Sequence, residues 1–217
     1  MTASTLVIAD RVRPESTALV LIDMSNDFVH PDGKTARLGG RDVSAAWTAV
    51  PAMRRLHAAA RAAGVTVVHV QHTTLPGGAS DSAPWVDARR RATYSVPDIC
   101  LDGTWGQEII PELQPADGDL TVKKYRYGGF TGTNLELVLR STGTTNVICC
   151  GVSTNVCVET TAREAFSREF FVVIPADACA SWDMRLHEAT LESARHRYAV
   201  VTTTEEILTA WSGVQPS

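Results

Sequence analysis

The alternation of apolar and polar stretches sets out the elements first. Thr17–Ile22 (TALVLI) is an apolar run that stops at Asp23, which predicts a strand buried on both faces of a parallel sheet. Residues 50–63 carry apolar side chains at helical spacing with Arg54, Arg55 and Arg61 between them, and Gly64 supplies a C-terminal stop before a second strand, VTVVHVQ. From 72 to about 103 the chain is rich in Pro, Gly, Ser and Asp and longer than an ordinary connection, so a lid or an oligomer contact is expected there. A short helix is predicted around 105–113, a strand over Leu120–Lys124 and a helix over 133–140. Then follow NVICCG as strand, STNVCVETTAREAFSR as helix, EFFVVIP as strand, RLHEATLESARHR as helix, YAVVTT as strand and a last helix at about 205–211. This alternation predicts an α/β fold in three layers, α/β/α, with a doubly wound, mostly parallel sheet. No repeat or linker divides the chain, so residues 1–217 read as one domain with the 72–103 segment inserted.

Composition narrows the partners. At 217 residues and 44% hydrophobic, the chain can bury one full core. A formal charge of −4 with dispersed Lys and Arg lacks the concentrated basic surface that nucleic acid or an anionic membrane requires. The opening MTASTLVIADRVRPES meets Asp10 and Arg11 before a secretory apolar region could form, so a cytoplasmic location is expected. The five cysteines, 100, 149, 150, 157 and 179, are an odd set without CxxC spacing and suggest neither a disulfide framework nor zinc.

Ligands of open α/β sheets bind beyond the carboxyl ends of the strands, near the point where strand order reverses. Three ionisable residues fall at such ends: Asp23, Lys124 and Cys157. Each has an ordinary alternative, as a turn residue, a solvated lysine and a small buried hydrophobe respectively. The context of Cys157 separates it from the other thiols. GVSTNVC runs from a buried strand through Gly151 into a helix, placing Cys157 in or near the first turn, where unpaired N–H groups favour a thiolate and can hold an oxyanion. Lys124 supplies a cation to raise the thiolate fraction, and Asp23 can orient the lysine, take the thiol proton and later activate water. His57, His187 and His196 lie in amphipathic helices, while His69 and His72 end the second strand. Phe28, after the first strand, and Tyr127, after Lys124, are placed to form apolar walls, and Trp105 either closes the mouth or anchors a helix.

At these residues the chain resembles the isochorismatase-like hydrolases, a family that includes N-carbamoylsarcosine amidase, ureidoacrylate and biuret hydrolases, nicotinamidase and isochorismatase. The segments that carry the likeness are ALVLIDMSNDF around Asp23, KYRYGGFTGTNLELVLR from Lys124 and CCGVSTNVCVETTAREA around Cys157. The resemblance implies a six-stranded parallel sheet, an Asp-Lys-Cys triad, a cis peptide at Val152–Ser153 and an oxyanion hole from the backbone N–H groups of Ser153 and Cys157. It also selects Lys124 over Lys123, because the family's lysine stands two residues ahead of an aromatic-small-small-Phe stretch, here YGGF at 127–130. HVQHTT lacks the Asp-x-His element of metal-dependent nicotinamidases, so neither metal nor cofactor is expected, and His72 is either a pocket donor or structural.

The expectation is therefore a cysteine amidohydrolase acting on a small-molecule amide or ureide, as a homo-oligomer, a dimer or tetramer. Two alternatives stay open: a vinyl-ether hydrolase using Asp23 as acid, and a catalytically silent redox or scaffold member of the fold.

Overall fold

The computed structural model describes residues 8–91 and 96–212; positions 92–95 of the expected insertion and the two ends of the expected 1–217 domain lie outside them. The strands are β1 (Thr17–Ile22), β2 (Thr66–His72), β3 (Leu120–Lys124), β4 (Asn146–Val152), β5 (Phe171–Pro175), β6 (Cys179–Ala180) and β7 (Val200–Thr202). All pair in parallel in the order β3-β2-β1-β4-β5-β7, and the two-residue β6 joins β4 at Gly151 and Val152, where β4 outruns β5. The chain winds outward from β1 through β2 to β3, then returns to β4 on the other side of β1. Strand order thus reverses between β1 and β4, and every residue of both strands is buried, as expected for strands covered on two faces.

The helices are α1 (Asn26–Val29), α2 (Lys34–Arg37), α3 (Ser44–Ala62), α4 (Ala83–Arg91), α5 (Leu135–Ser141), α6 (Glu159–Phe166), α7 (Met184–Arg197) and α8 (Thr204–Ser212). α3 and α8 pack together on one face, joined at the surface by Arg55 and Glu205. α5, α6 and α7 are linked on the other through Arg168, just past the end of α6, with Glu136 and through Arg163 with Ser193. No helix among the described residues is long and apolar enough to cross a membrane.

Besides the short α1, α2 and β6, which the pattern does not announce and the last of which makes the sheet seven-stranded where six were expected, two stretches differ from the pattern-based expectation. The predicted helix over 105–113 is absent apart from a 3₁₀ turn at Pro111–Leu113. Its backbone is taken by the start of the chain's first loop: Gly106 and Glu108 carbonyls accept from the Asp27 and Asn26 N–H groups, and the Ile110 N–H donates to Met24. Those bonds are incompatible with an i→i−4 ladder through the same atoms. Conversely, the stretch read as a loop contains α4, APWVDARRR, entered through Pro84 near its start, where a missing N–H costs nothing.

Candidate active site

Three strand ends are stitched together where the sheet reverses. The Asp23 N–H donates to the Val70 carbonyl and the Thr73 N–H to the Lys124 carbonyl. Asp23 leaves β1 with φ 56°, a left-handed conformation uncommon for a residue with a side chain. There its Oδ1 accepts the His72 N–H at 2.9 Å, and its Oδ2 lies 2.8 Å from Lys124 Nζ. Lys124 reaches across the end of β2 and is fully buried. Its three ammonium protons have three partners: Asp23 Oδ2, the Arg126 carbonyl at 3.0 Å and Cys157 Sγ at 3.5 Å. The neighbouring Lys123 points the other way and pairs with Asp102 at the surface, at 2.5 Å.

Cys157 sits in a π-helical turn, Thr154–Val158, that opens α6. The Val152–Ser153 peptide before it is cis, and the Ser153 carbonyl accepts from the Val156 and Val158 N–H groups. Gly151, at φ +121°, passes so close to β1 that a Cβ there would lie 2.1 Å from the Ile22 carbonyl oxygen. Glycines serve the lysine loop too: a Cβ at Gly128 would enter the Glu164 carboxylate, and Gly129 lies against Thr161. Glu164 accepts the Phe130 N–H, and Thr161 accepts the Gly129 N–H while donating to the Cys157 carbonyl. The YGGF loop and the nucleophile turn are thereby one hydrogen-bonded unit.

The electrostatics differ from the expectation of a ready thiolate. Burial pushes the Cys157 thiol well above its usual range; Lys124 pulls it back only in part, and Asp23 pushes it further up. Lys124 keeps its proton because Asp23 and Cys157 outweigh the cost of its burial. With the Asp23–Lys124 pair already neutral, a thiolate would leave one uncompensated charge in the core. The substrate-free site thus holds a thiol beside a carboxylate able to accept its proton and an ammonium able to stabilise the resulting sulfur anion.

Cys157 and Ser153 open onto a cavity of ≈ 120 Å³ whose wall includes Phe28, His72, Trp85, Arg89, Tyr127 and Trp182. The Phe28 ring lies 5.8 Å from His72 and 6.0 Å from Trp182, and the Trp85 ring meets Tyr127 at 4.7 Å with the two planes tilted by 57°. His72 is held neutral, because burial first and then Lys124, Arg89 and Arg126 push its pKa well below the usual value. Trp105 is outside this wall: it is half-exposed, edge-on to His30 at 5.1 Å, and its carbonyl accepts Asn26 Nδ2. Sequence reasoning missed Trp85, Arg89 and Trp182. The four-residue spacing of Trp85 and Arg89, one face of a helix, was the available signal for two of them.

His69 is three residues from His72 on β2, so it faces the opposite side of the sheet. There His57, His69 and Asp119 bring three metal-ligating atoms within 4.8 Å of one another. Asp119 Oδ2 already accepts from both imidazoles, at 3.1 and 3.3 Å, from the Ala116 N–H, and from Arg61, whose guanidinium supplies the cation.

Residues 17–206 match the Isochorismatase domain family. The ureidoacrylate amidohydrolase RutB of Agrobacterium fabrum is 36% identical over 176 residues, 77% of this chain and 77% of its own. A cysteine hydrolase from Pseudomonas syringae pv. phaseolicola 1448A superposes with a TM-score of 0.84 at 28% identity, covering 94% of this chain and 95% of that one. N-carbamoylsarcosine amidase from Thermoplasma acidophilum does so with a TM-score of 0.71 at 28% identity, over 88% and 97%. With a family match spanning most of its length and its sheet, this chain belongs to the isochorismatase-like cysteine hydrolase family.

Proposed function

We propose that the protein is an amidohydrolase that cleaves a small carboxamide or ureido C–N bond through a thioester on Cys157. The observation that carries this reading is the buried Asp23–Lys124–Cys157 cluster at the floor of an aromatic cavity. The charge count supports a definite order of events. As the sulfur attacks the substrate carbonyl, the thiol proton passes to Asp23, so that a neutral thiol beside an ion pair becomes a sulfur nucleophile beside Lys124 and a neutral carboxylic acid. The net charge of the buried site is unchanged, which avoids the penalty of an unpaired charge.

The tetrahedral oxyanion is held by the Ser153 and Cys157 backbone N–H groups. Its collapse breaks the C–N bond, and the Asp23 proton goes to the departing nitrogen, releasing ammonia or an amine. Asp23, again a carboxylate, then takes a proton from the water that attacks the thioester; breaking C–S releases the acid or carbamate, and the sulfur recovers a proton. Relatives that act on ureidoacrylate and N-carbamoylsarcosine favour a ureide, and the cavity's size favours an acyclic one. Five free cysteines are consistent with a cytoplasmic setting.

The test is ammonia release from a panel of ureides and amides, with mass mapping of the trapped acyl group. Cys157→Ala should remove turnover by at least about 10³-fold and leave no adduct. Turnover surviving in that variant overturns the covalent route in favour of acid catalysis by Asp23.

A further inference from the structure

The charges around the cavity do not balance. Asp23 and Lys124 cancel at its floor. On the wall, α4 turns Trp85 and Arg89 to the same side, and Arg89 Nη2 meets Asp81 Oδ2 at 2.6 Å. Asp81 is the only partner of Arg89 among the described residues, which leaves most of its five-donor fork unused. Its sequence neighbours Arg90 and Arg91 are exposed, and Arg91 pairs with Asp87 on the surface, as arginines near a helix C-terminus ordinarily do. Arg89 is instead mostly covered, its side chain only 19% exposed.

Behind it stands a second cation. Arg126 donates to the Ser80 carbonyl, the Tyr125 carbonyl and Ser82 Oγ, and its guanidinium lies 5.2 Å from the Trp85 ring. All these partners are neutral, and among the described residues no carboxylate pairs with it. Arg89 on the wall and Arg126 behind Trp85 are thus two guanidinium groups set against one carboxylate, Asp81. Asp81 is satisfied on one side only: its Oδ1 is buried without a hydrogen bond.

We propose that Arg89 is a specificity-determining residue that selects an amide or ureide bearing a carboxylate at the end remote from the scissile bond. This rests on the amidohydrolase reading above and adds the substrate's charge to it. A planar guanidinium with unused N–H groups matches a carboxylate through two parallel hydrogen bonds, and the uncompensated charge of Arg126 attracts the same group. The aromatic walls formed by Phe28, Trp85 and Tyr127 offer nothing to a cationic head that the two arginines would not repel.

The experiment compares kcat/KM for 3-ureidopropionate and 4-ureidobutyrate with the neutral 3-ureidopropanol and the cationic 3-ureidopropylammonium. The wild type should favour the anions over both analogues. Arg89→Gln should lower kcat/KM for the anions by on the order of 10²-fold, mainly through KM, and Arg89→Lys should retain part of the preference. Asp81→Asn, which keeps the guanidinium and removes its competitor, should sharpen the preference and reports on the site even if Arg89→Gln does not fold. Equal turnover of anionic and neutral ureides by the wild type overturns the inference and leaves the amidohydrolase reading intact. A preference that survives Arg89→Gln overturns the assignment to Arg89. No ammonia from any ureide or amide, with Cys157 unmodified, fails the amidohydrolase reading itself and this inference with it.

Discussion

Lys124 holds its ammonium 3.5 Å from the Cys157 sulfur, and the thiol nevertheless keeps its proton, because burial and the Asp23 carboxylate together outweigh one cation. The two partners act on the thiol with opposite sign, which makes their removal distinguishable. Asp23→Asn should lower the pH at which iodoacetamide labels Cys157, since it removes the charge that disfavours the thiolate, while abolishing turnover through loss of the base. Lys124→Met should move labelling to higher pH, on the order of 1–3 pH units, and also abolish turnover. The measurement is the pH dependence of labelling at Cys157 by peptide mass mapping. A shift in the same direction for both variants would refute this account of the site.

Lys123 provides the matching control. It is paired with Asp102 on the exposed side of β3, and a surface pair of this kind contributes about 0–1 kcal/mol. Lys123→Ala should leave turnover within about two-fold of wild type, with a Tm change of a few degrees at most. A large loss of turnover would mean that both lysines serve the pocket.

How far the site was legible follows from where each residue's role is decided. Asp23 and Lys124 end strands and Cys157 opens the helix after one, so local pattern locates all three; strand periodicity lets only one of Lys123 and Lys124 face the site, and the resemblance at YGGF selects Lys124. Arg89 is different. Its burial depends on Arg126 packing on Trp85 and on α4 folding over the sheet, contacts between segments about forty residues apart that no local pattern encodes. Trp182 follows the two-residue β6, too short to leave a period. The helix expected at 105–113 failed for the same kind of reason, since its backbone groups are claimed by Asn26, Asp27 and Met24. The ionisation of Cys157 differs from the expectation because a helix start and a lysine can be read in sequence, whereas the burial of the thiol beside a carboxylate cannot.

Glycine substitutions test the close approach of β4 to β1. A Cβ at Gly151 would sit 2.1 Å from a β1 carbonyl oxygen on a backbone at φ +121°, and neither strand can retreat from the middle of the sheet. Gly151→Ala should cost at least about 3 kcal/mol, read as a lowered urea midpoint or loss of soluble protein. Gly143, at φ +71° with open space around it, carries only the backbone penalty, so Gly143→Ala should cost about 1–2 kcal/mol. Comparable losses would mean that backbone conformation, not the overlap with β1, governs position 151.

Acid stability should be governed on the other face of the sheet, by His57, His69 and Asp119. Burial is the main reason that the His69 pKa is lowered to about 4, with His57 beside it adding to the effect, and burial lowers His57 as well. A histidine whose folded pKa lies below its unfolded value of about 6.5 binds its proton more readily in the unfolded chain. Its contribution to stability is therefore complete above about pH 6.5 and is lost as the pH falls toward 4. For His69 the difference corresponds to about 3 kcal/mol. Asp119 is lowered as well, its burial outweighed by Arg61, the Ala116 N–H and His57, so its share is present above its ordinary carboxylate pKa and disappears only as the pH falls further. Urea unfolding at pH 7.0, 5.5 and 4.5 should show the wild type losing stability across the whole interval. His69→Leu should start less stable at pH 7.0, having left Asp119 one donor short, yet lose less between 7.0 and 4.5, so that the two proteins converge. Parallel losses in the two proteins would show that His69 takes no part in the acid transition.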